Sequence, residues 1–152
     1  MKLAEALQER ADLNRRIEQL RARINQNVLV QEGEKPNEDP AALIAEMDGA
    51  VDRLEQLMAA INRTNSATVV DGRTLTQIIA KKDALKLRLS AYRDLLYSAS
   101  QNTHRARSTE IRILSAVPVA ELQKKADDMS RDLRELENLL QSSNWVTDLL
   151  ED

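Results

Sequence analysis

The chain has 152 residues, a formal net charge of −3 and no cysteine, with one tryptophan, two tyrosines, no phenylalanine and a single histidine. That length suits one ordinary domain with a core of its own. The missing thiols exclude disulfides, thiol catalysis and thiolate metal sites, and one histidine excludes the usual multi-histidine zinc sites.

In chain order, the first predicted element is a helix over about 2–27. Leu3, Ala6, Leu13, Ile17, Leu20 and Ile24 recur at three-four spacing, which places them on one stripe. The stripe passes through Arg10 and Asn27. Arg10 reads as an edge residue that snorkels, although polar groups on a seam can also fix register or oligomeric state. The connection Asn27 to Asp39 holds a short β-branched run, Val28 to Val30, ahead of Gly33, and reads as a small strand and turn. Its carboxylates, Glu32, Glu34, Glu38 and Asp39, read as caps and solvated groups; a hard cation is the alternative, without the spacing of a dedicated calcium loop.

The second helix, about 40–63, has its start written in Asp39, a capping residue, and Pro40 at the first helical position. Ile44, Met47, Val51, Leu54, Met58 and Ile61 form its stripe, and Leu43, Ala50 and Leu57 widen it. A stripe that wide suits burial against two neighbours. The short polar run from Ile61 to Ser66 gives a local stop. Thr68 to Val70 then precede Asp71-Gly72, a strong turn pair, and predict a second strand.

The third helix, about 74–100, carries Leu75, Ile78, Leu85, Leu89, Tyr92, Leu96 and Ala99, and opens on Thr74 and Gln77 at the spacing of a capping box. Its lysines and arginines, among them Lys81, Lys82, Lys86, Arg88 and Arg93, raise nucleic-acid binding. The acidic pI near 5.3 and the lack of interleaved aromatics argue against it. His104 falls in the polar run 100–108 and reads as a surface residue. Glu110 to Val117 alternate as a third short strand. The fourth helix, about 118–142, follows Pro118 with Leu122, Ala126, Met129, Leu133, Leu136 and Leu140, and a short turn over 144–150 closes the chain.

Helices of these lengths are rods of roughly 30 to 40 Å at about 1.5 Å per residue. The expected fold class is mainly α: one domain, 1–152, with four long antiparallel helices in two hairpins, a coiled-coil-like bundle whose strand-like connections form a minor sheet at one end. Charge alternates with helix. Residues 1–28 hold six basic and four acidic groups and 73–112 hold nine and three, while 32–56 and 120–152 carry −6 and −5. Pairing helix one with two and three with four sets opposite fields side by side, which biases partner and orientation.

No catalytic, cofactor-binding or metal-ligating residue is assigned, and the three glycines are too scattered to cradle a phosphate. The remaining polar candidates are Asn62, Asn65, Asp71, Arg73, Asp83, Glu110, Asn144 and Trp145. They read structurally as caps with one aromatic plug. Functionally they read as a polar pocket at the bundle end, walled by Trp145, for a small ligand or ion. No apolar run reaches the roughly 20 residues of a membrane span and no secretion-signal core is present, so a cytoplasmic protein is expected.

The turn Gln31-Glu32-Gly33 before Pro36, the runs Ile61-Asn62 and Thr64-Asn65, Leu75-Thr76 with Asp83 and Leu85, Ser108 to Ile111, and Gln141 through Asn144-Trp145 together resemble the septicolysin-like family of small bacterial helical proteins. The likeness spans nearly the whole chain. It departs at Lys82, where the family pattern has arginine, so a bidentate role there is not carried over. The resemblance implies a bacterial, mostly helical coiled-coil protein. A cytolysin would need a long amphipathic hairpin or a releasable lipid-seeking helix, and these helices are heavily charged. The expected function is therefore a non-enzymatic, self-associating helical scaffold or interaction module, a homo-oligomer joined through its seams. Ligand or ion binding at the polar end, as a binding site or an enzyme's, is the alternative.

Overall fold

Helical periodicity sets the architecture of the computed structural model, which describes residues 1–101 and 111–151. In chain order the elements are α1 (Leu3–Asn27), α2 (Pro40–Ala67), β1 (Val69–Val70), β2 (Arg73–Thr74), α3 (Leu75–Ala99) and α4 (Val119–Val146). The protein is mainly α with a small antiparallel sheet. Contacts divide it into two compact units, Met1–Thr74 with Ser143–Asp152, and Leu75–Ser142.

In the first unit α1 and α2 pack as a hairpin. The start of α2 follows the sequence closely: the Ala41 amide donates to Asp39 Oδ1 at 3.1 Å, and Pro40 occupies the first turn where no donor is needed. Leu3, Ala6 and Leu20 of α1 are buried, as are Leu43, Ala50, Leu57 and Ile61 of α2. The buried positions of α2 thus include the ones that had only widened its expected stripe, joined by Ala60, Ile61 and Thr64. Asn27, at the end of the α1 seam, is also buried and fully used: its Nδ2 donates to the Arg23 carbonyl at 2.8 Å, and its Oδ1 accepts from the Glu38 amide at 3.0 Å. Its polarity serves the α1–α2 connection within one chain.

In the second unit, Leu89, Leu96 and Ala126 form a buried cluster, with Tyr92, Leu122, Met129 and Leu133 packed against it. Residues from both predicted seams therefore meet. The end of α3 lies beside the start of α4, since Tyr97 and Ser100 line one hollow with Val119 and Gln123, and Arg93 donates to Ser130 Oγ at 3.4 Å. The two helices run antiparallel.

Only one of three expected strand segments forms a ladder. Val69 pairs with Thr74 and Val70 with Arg73 around Asp71 and Gly72, whose φ values of 50° and 77° are those of a two-residue turn matched to strand twist. The expected strand at Val28–Val30 is corrected. Val28 keeps α-region backbone angles as the C-cap of α1, and the next turn closes through the Glu34 amide to the Gln31 carbonyl, leaving no neighbouring strand to pair. Ile111–Val117 likewise carry no strand, and the chain there is tied back by Ser115 Oγ to the Ala99 carbonyl. The expected third strand began at Glu110, which lies outside the described residues, as does His104.

Two helices outrun their expected ends, because short polar side chains fold onto the helix's own carbonyls instead of ending it. Thr64 Oγ1 donates to the Ala60 carbonyl at 2.8 Å and α2 continues to Ala67; Ser142 Oγ donates to the Leu139 carbonyl at 3.0 Å and α4 continues to Val146.

Candidate functional site

Three ion pairs set the register of the α1–α2 hairpin, at every seventh residue of α1. Arg53 grips Glu9 with both arms of its fork, Nε to Oε1 at 2.7 Å and Nη2 to Oε2 at 3.1 Å. Arg16 pairs with Glu46, and Arg23 pairs with Glu38 through Nη2 and through Nε at 3.1 Å. Partners descend α1 as they climb back along α2, as an antiparallel pair requires. Polarity changes within the ladder, acid on α1 at the first rung and base at the other two.

Three of the ion pairs of this unit hold their carboxylates down. Arg53 donates to Glu9 and keeps its titration below the ordinary glutamate value, Arg23 does the same to Glu38, and Lys2 to Asp148. A carboxylate that titrates lower folded than unfolded contributes stability that is whole above its unfolded pKa and is lost as pH falls through the folded one. All three lie in the first unit. We therefore expect its helical signal to melt at progressively lower temperature from about pH 5 downward. Glu9→Gln should flatten part of that slope. An unchanged slope in Glu9→Gln would show that the Glu9–Arg53 pair does not contribute.

The termini of the first unit are clasped. Lys2 and Asp148 form an antiparallel bridge, the Leu3 amide donates to the Thr147 carbonyl and the Leu149 amide to the Met1 carbonyl, both at 2.9 Å. Lys2 Nζ reaches Asp148 Oδ1 at 2.7 Å. Leu149 is buried, and the Leu150 amide donates at 2.9 Å to Oγ1 of Thr64, which is fully buried. Thr64 therefore joins α2 to the tail. The sequence marked Thr64 only as part of a helix stop; its position on the inner α2 stripe, two turns beyond Leu57, was the available signal.

Six of the eight polar candidates belong to the first unit and Asp83 to the second. Asn62 is exposed on α2 and Asn65 is half-buried one turn later. Asp71 is exposed in the hairpin turn and Arg73 is half-buried in β2. Asp83 belongs to the second unit and lies 4.0 Å from Lys82 Nζ, while Asn144 is half-buried in α4. Trp145 is 55% exposed, so it does not act as a plug, and Glu110 lies outside the described residues. An open hollow of about 490 Å³ on α2 is lined by other residues, including Arg53, Gln56, Ala60, Arg63 and Glu151. Among the described residues no cluster of three or more carboxylate or imidazole groups stands close enough to hold a metal. Glu38 and Asp39 from the acidic connection are committed to Arg23 and to the α2 cap. No helix among the described residues is long and apolar enough to cross a membrane.

What remains is a face. Ile44, Val51 and Met58 lie one residue beyond Leu43, Ala50 and Leu57, about 100° further round α2. They are 41%, 43% and 42% exposed. The wide stripe has two halves, then: one is buried in the hairpin, and the other is an apolar row at heptad spacing that is open to solvent. Its outer edge carries Asp48, Asp52 and Glu55, all exposed.

Fold and face together define a helical-hairpin protein with a second, half-exposed apolar row on α2. The chain belongs to a family of unknown function, DUF6847, which it matches over residues 10–149. It is also similar to a functionally unknown conserved protein from Corynebacterium diphtheriae known from a crystal structure. The two share 34% sequence identity over 99% of each chain, with a TM-score of 0.92. No curated protein matches the chain.

Proposed function

We propose that the protein is a non-enzymatic interaction module whose working surface is the outer stripe of α2. One observation carries this reading: a regular apolar row, Ile44, Val51 and Met58, left open on a helix whose inner row is buried. Rows at this spacing are how helices recognise other helices. Self-association and a cytoplasmic location go with this reading. The septicolysin-like character is kept as a resemblance; the family and the related crystal structure are consistent with a small helical protein and name no activity.

The test compares the wild type with Val51→Asp. The wild type should enhance the fluorescence of a hydrophobic probe dye, and Val51→Asp should lose most of that enhancement while keeping its helical circular dichroism. Sedimentation over a range of concentrations measures self-association, and any that occurs should persist in Val51→Asp. A wild type that neither binds dye nor associates would overturn the proposal.

A further inference from the structure

We infer that the outer stripe of α2 takes an amphipathic helix whose apolar seam is flanked by lysine or arginine, and not a second copy of α2; this rests on the proposed interaction role of the same face. Charge separates the two sides of the helix. Glu46, beside the inner row, meets Arg16 of α1, and Glu38, just ahead of α2, meets Arg23. Beside the outer row, Asp48, Asp52 and Glu55 recur about once per turn on the solvent side, and among the described residues no ion pair engages them. The two arginines of α2 are already engaged: Arg53 holds Glu9, and Arg63 makes an interaction of its own.

A parallel pairing of this face with itself would set these acids toward the partner's inner flank, where Arg53 already holds Glu9, and an antiparallel pairing would set them against the same acids of the partner. Like charges across an interface disfavour that pairing, and opposite charges both steer encounter and favour the complex. The fitting occupant therefore pairs apolar residues with Ile44, Val51 and Met58, and basic residues with Asp48, Asp52 and Glu55. From Ile44 to Met58 the row runs about 21 Å, so three to four turns of partner helix suffice. The acidity of the flank also disfavours nucleic acid and anionic lipid as occupants.

The test uses two fluorescein-labelled model peptides of about 18 residues with one leucine seam at three-four spacing, one flanked by lysine and arginine, the other by glutamate. Fluorescence anisotropy with the full chain should show the basic peptide binding at least roughly tenfold tighter than the acidic one at low salt, with the difference shrinking at high salt. Asp48→Lys/Glu55→Lys should reverse the preference, and Val51→Asp should remove binding of both. Equal binding of both peptides, with loss in Val51→Asp, would overturn the charge inference and leave the docking face intact. A wild-type dimer abolished by Val51→Asp would give the face to a second copy and also overturn it. Binding of neither peptide, together with no dye binding, would overturn the docking face itself.

Discussion

Leu57→Ala should lower the unfolding free energy by about 2–5 kcal/mol, the range for removing a large aliphatic side chain from a packed core. Leu57 is 1% exposed in the α1–α2 hairpin, in the same inner row as Leu43 and Ala50. Its loss removes transfer free energy and leaves a cavity that two straight helices, tied by the Glu9–Arg53 and Arg16–Glu46 pairs, cannot easily collapse. Val51→Ala on the same helix should behave differently. Val51 is largely exposed, so little burial is lost, and alanine is the better helix former by a few tenths of a kcal/mol. The net change should stay within about 0.5 kcal/mol. Urea denaturation followed by circular dichroism distinguishes the two.

Thr64→Val should cost about 1–3 kcal/mol although it keeps both size and β-branching. The hydroxyl donates to the Ala60 carbonyl and accepts from the Leu150 amide, in a site with no solvent access to the side chain. Valine removes that acceptor. The Leu150 amide must then go unpaired or carry the tail outward, which loosens the burial of Leu149. Hydrogen exchange should show the Leu150 amide losing protection, while Thr64→Ser, which keeps the oxygen, should retain it. Equal protection in Thr64→Val would mean that the bridge at Lys2 and Asp148 holds the tail without Thr64.

The four helices were legible because a three-four spacing records burial directly, and the start of α2 because Asp39 and Pro40 carry local geometry. Which half of the α2 stripe turns inward was less legible, since both rows are apolar at the same period. The signal that decides it is charge: Glu46 and Arg53 are a heptad apart beside the inner row, and Glu9, Arg16 and Arg23 recur at the same interval on α1 with complementary signs where they meet. The ladder makes sense only when both helices are compared. Strands at Val28–Val30 and Ile111–Val117 were over-read for a related reason. A β-branched run states a preference, but a strand exists only with a partner, and of the three runs only Val69–Val70 is followed within two residues by one, across Asp71-Gly72. The tail clasp joins residues 86 apart, Thr64 and Leu150, and no local pattern encodes it. Of the polar candidates at the helix ends, Asp71 has a local place that its sequence context states, in the turn with Gly72.

α2 carries two apolar rows, one that holds the fold and one that does not. Urea denaturation of Leu57→Asp and Val51→Asp, run side by side, tests it most directly. Leu57→Asp should lose the cooperative transition of the first unit, because it buries an unpaired charge, while Val51→Asp should unfold within about 0.5 kcal/mol of the wild type. Equal destabilisation by the two substitutions would contradict it.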